Sequence, residues 1–261
     1  MIRGLFSRAA TLGVALLCAC RGERGASSGD VGQAVTPIIT SAAGYREIAV
    51  PSRGSVSGTI SLAGAAPEER PVRVTQDEPV CGDGAVVEPA ASGGRVANAV
   101  VWLEGITAGK PRSRLRRYEV SQVRCMLEPR VQAVEARGTV NVKSQDPIAH
   151  RTRFLSHPGG QVISVVSEVD AGQVVPDERI AARPGLVEIR CEQHPWTHGW
   201  IAVFDQPYYA VTAGDGSFAF DDVPPGTYTL AVWHERGARV TRQVTVREGS
   251  RTTADIALAL R

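Results

Sequence analysis

Apolar residues beyond position 52 fall in short runs that Gly, Pro and other turn-forming residues separate. The runs 98–103 and 161–166 are rich in Val, and Val140 and Val142 alternate with polar neighbours. Alternation with a period of two is typical of half-buried strands, and short continuous runs are typical of buried ones. Because helical periodicity is hard to find, the pattern predicts an all-β protein built as a sandwich or barrel.

A second, more compact β pattern follows Pro207. Phe218 and Phe220 alternate with polar residues, and the apolar positions 256, 258 and 260 repeat the period of two near the end of the chain. The segments 215–218 (Asp-Gly-Ser-Phe) and 223–228 (Val-Pro-Pro-Gly-Thr-Tyr) resemble the carboxypeptidase regulatory-like domain, a small transthyretin-like β-sandwich. This resemblance is a marker of the domain and carries almost no information on function.

The N-terminal residues have the pattern of an export signal. Arg3 and Arg8 accompany the apolar stretch 9–17, which is too short to span a bilayer. Residues 17–20 (Leu-Cys-Ala-Cys) resemble a bacterial lipobox, which implies a lipoprotein signal peptide over 1–20 and lipidation of Cys20. Lipidation of Cys18 and a plain secretory signal are the alternatives. We therefore expect localisation in the cell envelope of a bacterium, lipid-anchored, at the periplasmic or outer-membrane face.

Segment 21–52 is rich in Gly, Ala, Ser and Thr and is predicted to be a flexible tether between that membrane anchor and the folded chain. The formal net charge of +2 is close to neutral, and together with the export signal it argues against a nucleic-acid partner. A basic cluster is either a solvated loop or a docking patch for an acidic redox partner; its members are Lys110, Arg112, Arg114, Arg116 and Arg117.

The five cysteines divide into three groups. Cys18 would leave with the signal and Cys20 would carry the lipid. Cys81 and Cys125 have no histidine at ligand spacing, so they are predicted to form a disulfide in an oxidising compartment. Cys191 is then the free thiol, and such a thiol is oxidised unless it is buried or bound to a metal.

Cys191 also ends an apolar strand pattern, 185–190, and precedes His194 by three positions. His150 lies about 40 residues upstream. One thiolate with two imidazoles is the core of a type 1 copper site. The spacing resembles that of the cupredoxins, the plastocyanin-like electron-transfer proteins. The resemblance implies a Greek-key β-sandwich over 53–205, followed by the regulatory-like sandwich over 206–261, with His150, Cys191 and His194 as metal ligands.

Two positions depart from the cupredoxin pattern. Thr197 stands where the family has its axial Met, and Arg151 stands where it has an Asn after the upstream ligand. Three outcomes follow: a trigonal site with a distant oxygen, a site with His198 as a tentative fourth ligand, or a degenerate site. The set of His150, Cys191, His194 and His198 also permits a zinc ion, which accepts a tetrahedral group of such donors.

The resemblance implies copper binding and one-electron transfer with a redox partner protein. One alternative is a metal-free β-sandwich that serves the envelope as a binding or structural module. Another is a copper enzyme with an open coordination position, although the pattern favours an electron carrier or binding protein over an enzyme. Segment 54–60 resembles the first strand of a regulatory-like sandwich, and the sequence leaves open which of the two sandwiches it joins.

Overall fold

The computed structural model describes residues 38–39, 44–68, 71–82, 85–86, 91–168 and 170–261. These residues form one short helix, α1 (Glu78–Cys81), and a succession of strands. Before the first long hairpins come β1 (Arg46–Glu47), β2 (Gly54–Leu62), β3 (Val72–Arg73), β4 (Ala85–Val86), β5 (Val100–Glu104) and β6 (Ala108–Gly109). The middle of the chain holds β7 (Arg117–Val123), β8 (Met126–Glu128), β9 (Val131–Glu135), β10 (Thr139–Ser144), β11 (His150–His157), β12 (Val162–Glu168), β13 (Val174–Asp177), β14 (Gly185–Cys191) and β15 (His198–Phe204). The last strands are β16 (Tyr209–Val211), β17 (Ser217–Val223), β18 (Gly226–Trp233), β19 (Val240–Val246), β20 (Arg251–Thr253) and β21 (Ile256–Leu258).

These elements confirm the predicted all-β class. The predicted signal peptide 1–20, with Cys18 and Cys20, lies outside the described residues, as does most of the predicted tether. Within the described part of the chain, no helix is long and apolar enough to cross a membrane.

The terminal sandwich, as we name it, is built from strands at both ends of the described chain. One sheet has the order β16-β5-β18-β19, and the other has the order β17-β2-β20, with β21 also pairing with β2. Side chains that alternate along these strands fill the space between the two sheets; Val56, Ile60, Leu103, Phe218, Leu230 and Leu258 are among them. Burial of their apolar surface is what holds the sheets together.

The inserted sandwich occupies the middle of the chain. Its sheets have the orders β13-β10-β7-β8 and β12-β11-β14-β15-β9. Alternate residues on the inward faces form a second core; Val142, Phe154, Val166, Ile189 and Ile201 belong to it. The candidate ligands lie at one end of this sandwich.

Strand pairing divides the chain differently from the predicted ranges 53–205 and 206–261. Strand β2 pairs with β17, β20 and β21, and β5 pairs with β16 and β18. The segment 54–60 therefore joins the terminal sandwich, and residues 117–204 are inserted between β5 and its partner β16. The resemblance of 54–60 to a first strand of the regulatory-like sandwich allowed this pairing without deciding it, because alternation fixes which face of a strand is buried and leaves its partner open.

The two sandwiches pack through an apolar layer between their sheets. Trp200 and Phe204 on β15 lie against Trp102 on β5 and Trp233 on β18. The rings of Trp200 and Trp233 meet edge to face with centroids 5.0 Å apart. All of these residues belong to one compact unit, Val35–Arg261.

The tether is shorter than predicted at its C-terminal end. Tyr45 is buried, and its hydroxyl donates a hydrogen bond of 2.7 Å to the Lys110 carbonyl. Beside it, β1 pairs in parallel with β6. A single aromatic residue gives no periodic pattern, so the sequence did not indicate this attachment. It depends on contact between Tyr45 and the ring of Tyr208, which is distant in the sequence.

Candidate metal site

Two adjacent strands and one loop bring three of the predicted ligands together. His150 begins β11 and Cys191 ends β14, with Thr152 and Cys191 as Cα partners. Residues two apart share a face of a strand, and directly opposed residues share a face of the sheet. His150 and Cys191 therefore both point inward. His194 lies in the β14–β15 loop, where its carbonyl accepts a 2.9 Å hydrogen bond from the Thr197 amide.

The three donor atoms form a nearly equilateral triangle. The Cys191 Sγ lies 3.8 Å from His150 Nδ1 and 3.6 Å from His194 Nδ1, and the two Nδ1 atoms are 3.2 Å apart. The centre of such a triangle lies about 2 Å from each corner, close to the roughly 2.0–2.3 Å bonds that imidazole nitrogen and thiolate sulfur make to a first-row metal such as zinc. The spacing therefore fits a metal ion without rearrangement of the side chains.

The site is buried and holds a ready thiolate. His150, Cys191 and His194 are all buried. Burial by itself would raise the pKa of Cys191, but hydrogen bonds from His150 and His194 outweigh it and lower that pKa to about 5. Since a metal binds the thiolate rather than the thiol, the sulfur is in its ligand form at neutral pH.

A carboxylate occupies the far nitrogen of each imidazole. His150 Nε2 lies 3.0 Å from Asp146 Oδ2, and His194 Nε2 lies 3.0 Å from Asp77 Oδ2. Burial works to lower the pKa of His194, but the bonds to Cys191 and Asp77 reverse this and raise it. An ionised carboxylate can only accept hydrogen bonds, so the Nε2 of each imidazole carries the hydrogen. The Nδ1 of each ring then faces the site.

A disulfide borders the same cavity. Cys81 and Cys125, which are 44 positions apart in the sequence, are bonded, and Cys191 is the free cysteine of the described residues. The Cys125 sulfur lies within 4.8 Å of ligand atoms of Asp146 and His150. Trp196 packs on the disulfide in the same small apolar cluster and meets the His194 ring at a centroid distance of 5.2 Å.

The positions that depart from the cupredoxin pattern have other partners here. The buried Thr197 hydroxyl donates a hydrogen bond to the Cys125 carbonyl, so it ties the ligand loop to the disulfide. The Arg151 amide donates to the Gln193 side-chain oxygen at 2.7 Å, and that oxygen lies 3.5 Å from the Cys191 sulfur. Gln193 therefore places a hydrogen-bond acceptor beside the Cys191 sulfur.

His198 does not join the other predicted ligands. It is the Cα partner of Arg190, so it shares a face with Arg190 and lies on the opposite face of the sheet from Cys191. Its Nε2 lies 2.9 Å from Glu188, and its Nδ1 lies 3.6 Å from Glu235. The register of β14 with β15 therefore directs the His198 side chain toward the layer between the two sandwiches.

Sequence reasoning missed the buried Glu168. It is the Cα partner of His150, it has no exposed surface, and neither carboxylate oxygen has a hydrogen-bond partner in the described structure. Burial raises the pKa of this carboxyl to about 7, the nearby His150 lowers it, and Cys191 raises it. The sequence signal for Glu168 was its position two residues beyond the apolar run 161–166.

The basic cluster lies at the other end of the inserted sandwich. Strand β7 begins at Arg117, spans about 20 Å at roughly 3.3 Å per residue, and leads to Cys125 beside the site. Arg112 in this cluster forms a 2.9 Å ion pair with Glu47. The cluster is therefore far from the candidate ligands.

Comparisons with known proteins agree with the two resemblances. Residues 201–259 match the model of the carboxypeptidase regulatory-like domain. Solved structures that align with the chain include a purple cupredoxin from Nitrosopumilus maritimus (17% identity, TM-score 0.28, covering 33% of this chain and 98% of that one). They also include a reduced amicyanin mutant (17%, 0.29, 33% and 81%) and a copper-containing nitrite reductase from Thermus scotoductus (17%, 0.30, 57% and 28%). No curated protein matches the sequence.

The regulatory-like domain predicted from the segments 215–218 and 223–228 is therefore confirmed. The chain is an all-β protein that combines this domain with a second β-sandwich.

Proposed function

We propose that this chain is an exported copper-binding protein that transfers single electrons in the bacterial cell envelope, with His150, Cys191 and His194 as ligands. The observation that carries the proposal is the triangle of two Nδ1 atoms and one Sγ around a common point. Copper bound there would supply a one-electron couple, because thiolate and imidazole ligands together accept both of its oxidation states.

The chain's own residues supply a rigid, dry enclosure. Sheet hydrogen bonds fix His150 and Cys191 on neighbouring strands, and Thr197 fixes the loop that carries His194. All three donors are buried, which excludes water from their inner faces. Ligands held in this way keep one geometry in both oxidation states of a metal, and that is the condition for fast electron exchange.

Zinc is supported less well as the resident ion. Structural zinc sites are almost always four-coordinate, and the fourth donor that the sequence offered was His198. That side chain is engaged by Glu188 on the opposite face of the sheet. A set of two imidazoles and one thiolate favours copper.

The location in the envelope rests on the N-terminal sequence pattern and is supported by the Cys81–Cys125 disulfide, since disulfides persist in oxidising compartments. We propose that lipid on Cys20 anchors the chain to the membrane. A redox partner protein would approach the end of the inserted sandwich that carries the ligands, and the basic cluster lies at the other end of β7.

Copper loading of the chain without its signal peptide tests the proposal, with visible and EPR spectra as readouts. An intense thiolate-to-copper band is expected, lost in Cys191→Ser and retained in His198→Ala. Tight copper binding without the band would contradict a thiolate ligand. Absence of copper binding would favour the metal-free binding or structural module.

A further inference from the structure

His194 is enclosed by a part of the chain outside the inserted sandwich. The segment Val74–Cys81, which we name the strap, lies over the ligand loop. The His194 side chain is 0% exposed, although it lies in a loop. Val74 and Cys81 share an apolar cluster with Trp196, and the Gln76 amide donates a hydrogen bond to the Gln193 carbonyl. The strap therefore covers the outer edge of the candidate metal site.

A disulfide anchors the strap to the site, and hydrogen bonds within the strap close a turn around Asp77. The Cys81–Cys125 disulfide bonds its end to the wall of the site. The amides of Val80 and Cys81 donate hydrogen bonds of 2.9 and 2.8 Å to the Asp77 carbonyl, closing the turn of α1. Asp77 itself has φ 53° and ψ 32°, in the left-handed region. Aspartate adopts this conformation more readily than most residues other than glycine, so Asp77 suits the turn at the start of α1.

Asp77 contacts the His194 ring in the same way as the buried Asp146 contacts the His150 ring. Asp146 contacts His150 Nε2 from inside the core, and Asp77 contacts His194 Nε2 from the strap, both at 3.0 Å. Asp146 is buried, and it also accepts hydrogen bonds from the amides of Arg124 and Cys125. The two aspartates thus form matched outer partners, one built into the sandwich and one supplied by the strap.

We propose that Asp77 is a positioning residue of the metal site. From the strap it accepts the Nε2–H of His194, turns the Nδ1 of that ring to Cys191, and closes the edge of the imidazole to solvent. The assignment of a metal to this ring rests on the proposed function. The enclosure of His194 by Asp77 stands on the metal-free geometry alone. Outer partners of this kind typically change metal affinity by about 10–100-fold when removed.

The test compares Asp77→Ala and Asp77→Asn with Glu78→Ala, which removes an exposed acid from the next position of the strap. The first readout uses the metal-free protein: the rate of imidazole C2-proton exchange at His194, with the fully enclosed His150 as internal reference. We expect Asp77→Ala to accelerate exchange at His194 about tenfold or more and to leave His150 unchanged. Glu78→Ala should change neither rate, and Asp77→Asn, which keeps an acceptor oxygen, should fall between them.

The second readout is the release of bound copper(I) to a chelator, which Asp77→Ala should accelerate by about 10–100-fold. Equal exchange and equal release in Asp77→Ala and the parent chain would overturn the proposal. An equal acceleration in Glu78→Ala would also overturn it, because the effect would then belong to loss of charge or of strap structure. If the parent chain binds no copper, the proposed function fails, and the exchange rates still decide the role of Asp77.

Discussion

Two groups of histidines lie on opposite faces of the same five-stranded sheet, and they differ in what their ring nitrogens touch. On the inner face, His150 and His194 each give one nitrogen to an aspartate and turn the other toward Cys191. On the outer face, both nitrogens of His198 face glutamates, Glu188 at 2.9 Å and Glu235 at 3.6 Å. The inner group brings two ring nitrogens and one sulfur to a common point, whereas the nitrogens of His198 meet carboxylates.

The outer group instead belongs to the packing between the sandwiches. The Trp200 indole donates to Glu235 at 2.8 Å, and Arg130 forms a 2.6 Å ion pair with the same carboxylate. His157 and His198 both meet Trp200 edge to face. The comparison shows that a histidine is a candidate ligand where a ring nitrogen converges with other donor atoms, and a packing residue where its nitrogens meet carboxylates.

Replacing one histidine from each group would break this comparison most directly. His150→Ala should abolish tight copper binding. This effect is larger than the loss of affinity of about 10–100-fold expected when an aspartate that holds a ligand ring is removed. His198→Ala should leave copper affinity within about twofold, because its nitrogens contact only Glu188 and Glu235. Competition titration against a copper chelator measures both. A large loss in His198→Ala would mean that the outer face contributes to the site.

The apolar layer between the sandwiches should control stability without affecting the metal. Trp233→Ala removes a buried ring that contacts Trp200, and truncations of this kind cost about 3–5 kcal/mol. Urea unfolding of the metal-free chain measures this change, with the exposed Leu115→Ala as control. Copper affinity should stay constant in the folded variant. A Trp233→Ala variant as stable as Leu115→Ala would show that the layer contributes little.

Glu168 should make stability depend on pH. Burial raises its pKa from 4.5 to about 7, so between these values the folded state keeps a proton that the unfolded chain has lost. The contribution of Glu168 to stability therefore falls as the pH rises through this window, by about 3 kcal/mol at roughly 1.4 kcal/mol per unit. The lowered pKa of Cys191 acts in the opposite direction over the same range. Glu168→Gln should remove this fall and be the more stable protein at pH 8.

Unfolding of the metal-free protein at pH 5 and pH 8 checks this expectation. The exposed Glu78→Gln serves as the control and should keep the parent's difference between the two values. The same difference in Glu168→Gln and in the parent would contradict a buried neutral carboxyl at this position.

Thr197 should show the smallest effect, because its hydroxyl serves the ligand loop. Thr197→Val keeps the shape of the side chain but leaves the Cys125 carbonyl without its donor. We expect a loss of about 1–2 kcal/mol in the free energy of unfolding and an unchanged copper affinity, whereas Thr197→Ser should resemble the parent. A changed visible spectrum in Thr197→Val would instead indicate that the hydroxyl is sensed at the metal.

The sequence by itself determined the features that depend on local spacing. Alternation along strands such as 140–143 determined the all-β class, and the segments 215–218 and 223–228 identified the regulatory-like domain. Two donors were predicted to lie within reach of each other, Cys191 at the end of a strand and His194 three positions later. The short spacing keeps both side chains at the same end of that strand. The cysteine count selected Cys81 and Cys125, which are bonded in the structure.

Only the tertiary structure decided which distant segments meet. The pairing of Thr59 with Ser217 makes one sandwich an insertion in the other. The register of Arg190 and His198 turns a predicted ligand to the outer face. Asp77 reaches His194 across 117 residues of sequence. Periodicity records whether a residue is buried, whereas its partner is selected by the packing of the whole chain, so none of these contacts is visible in a local pattern.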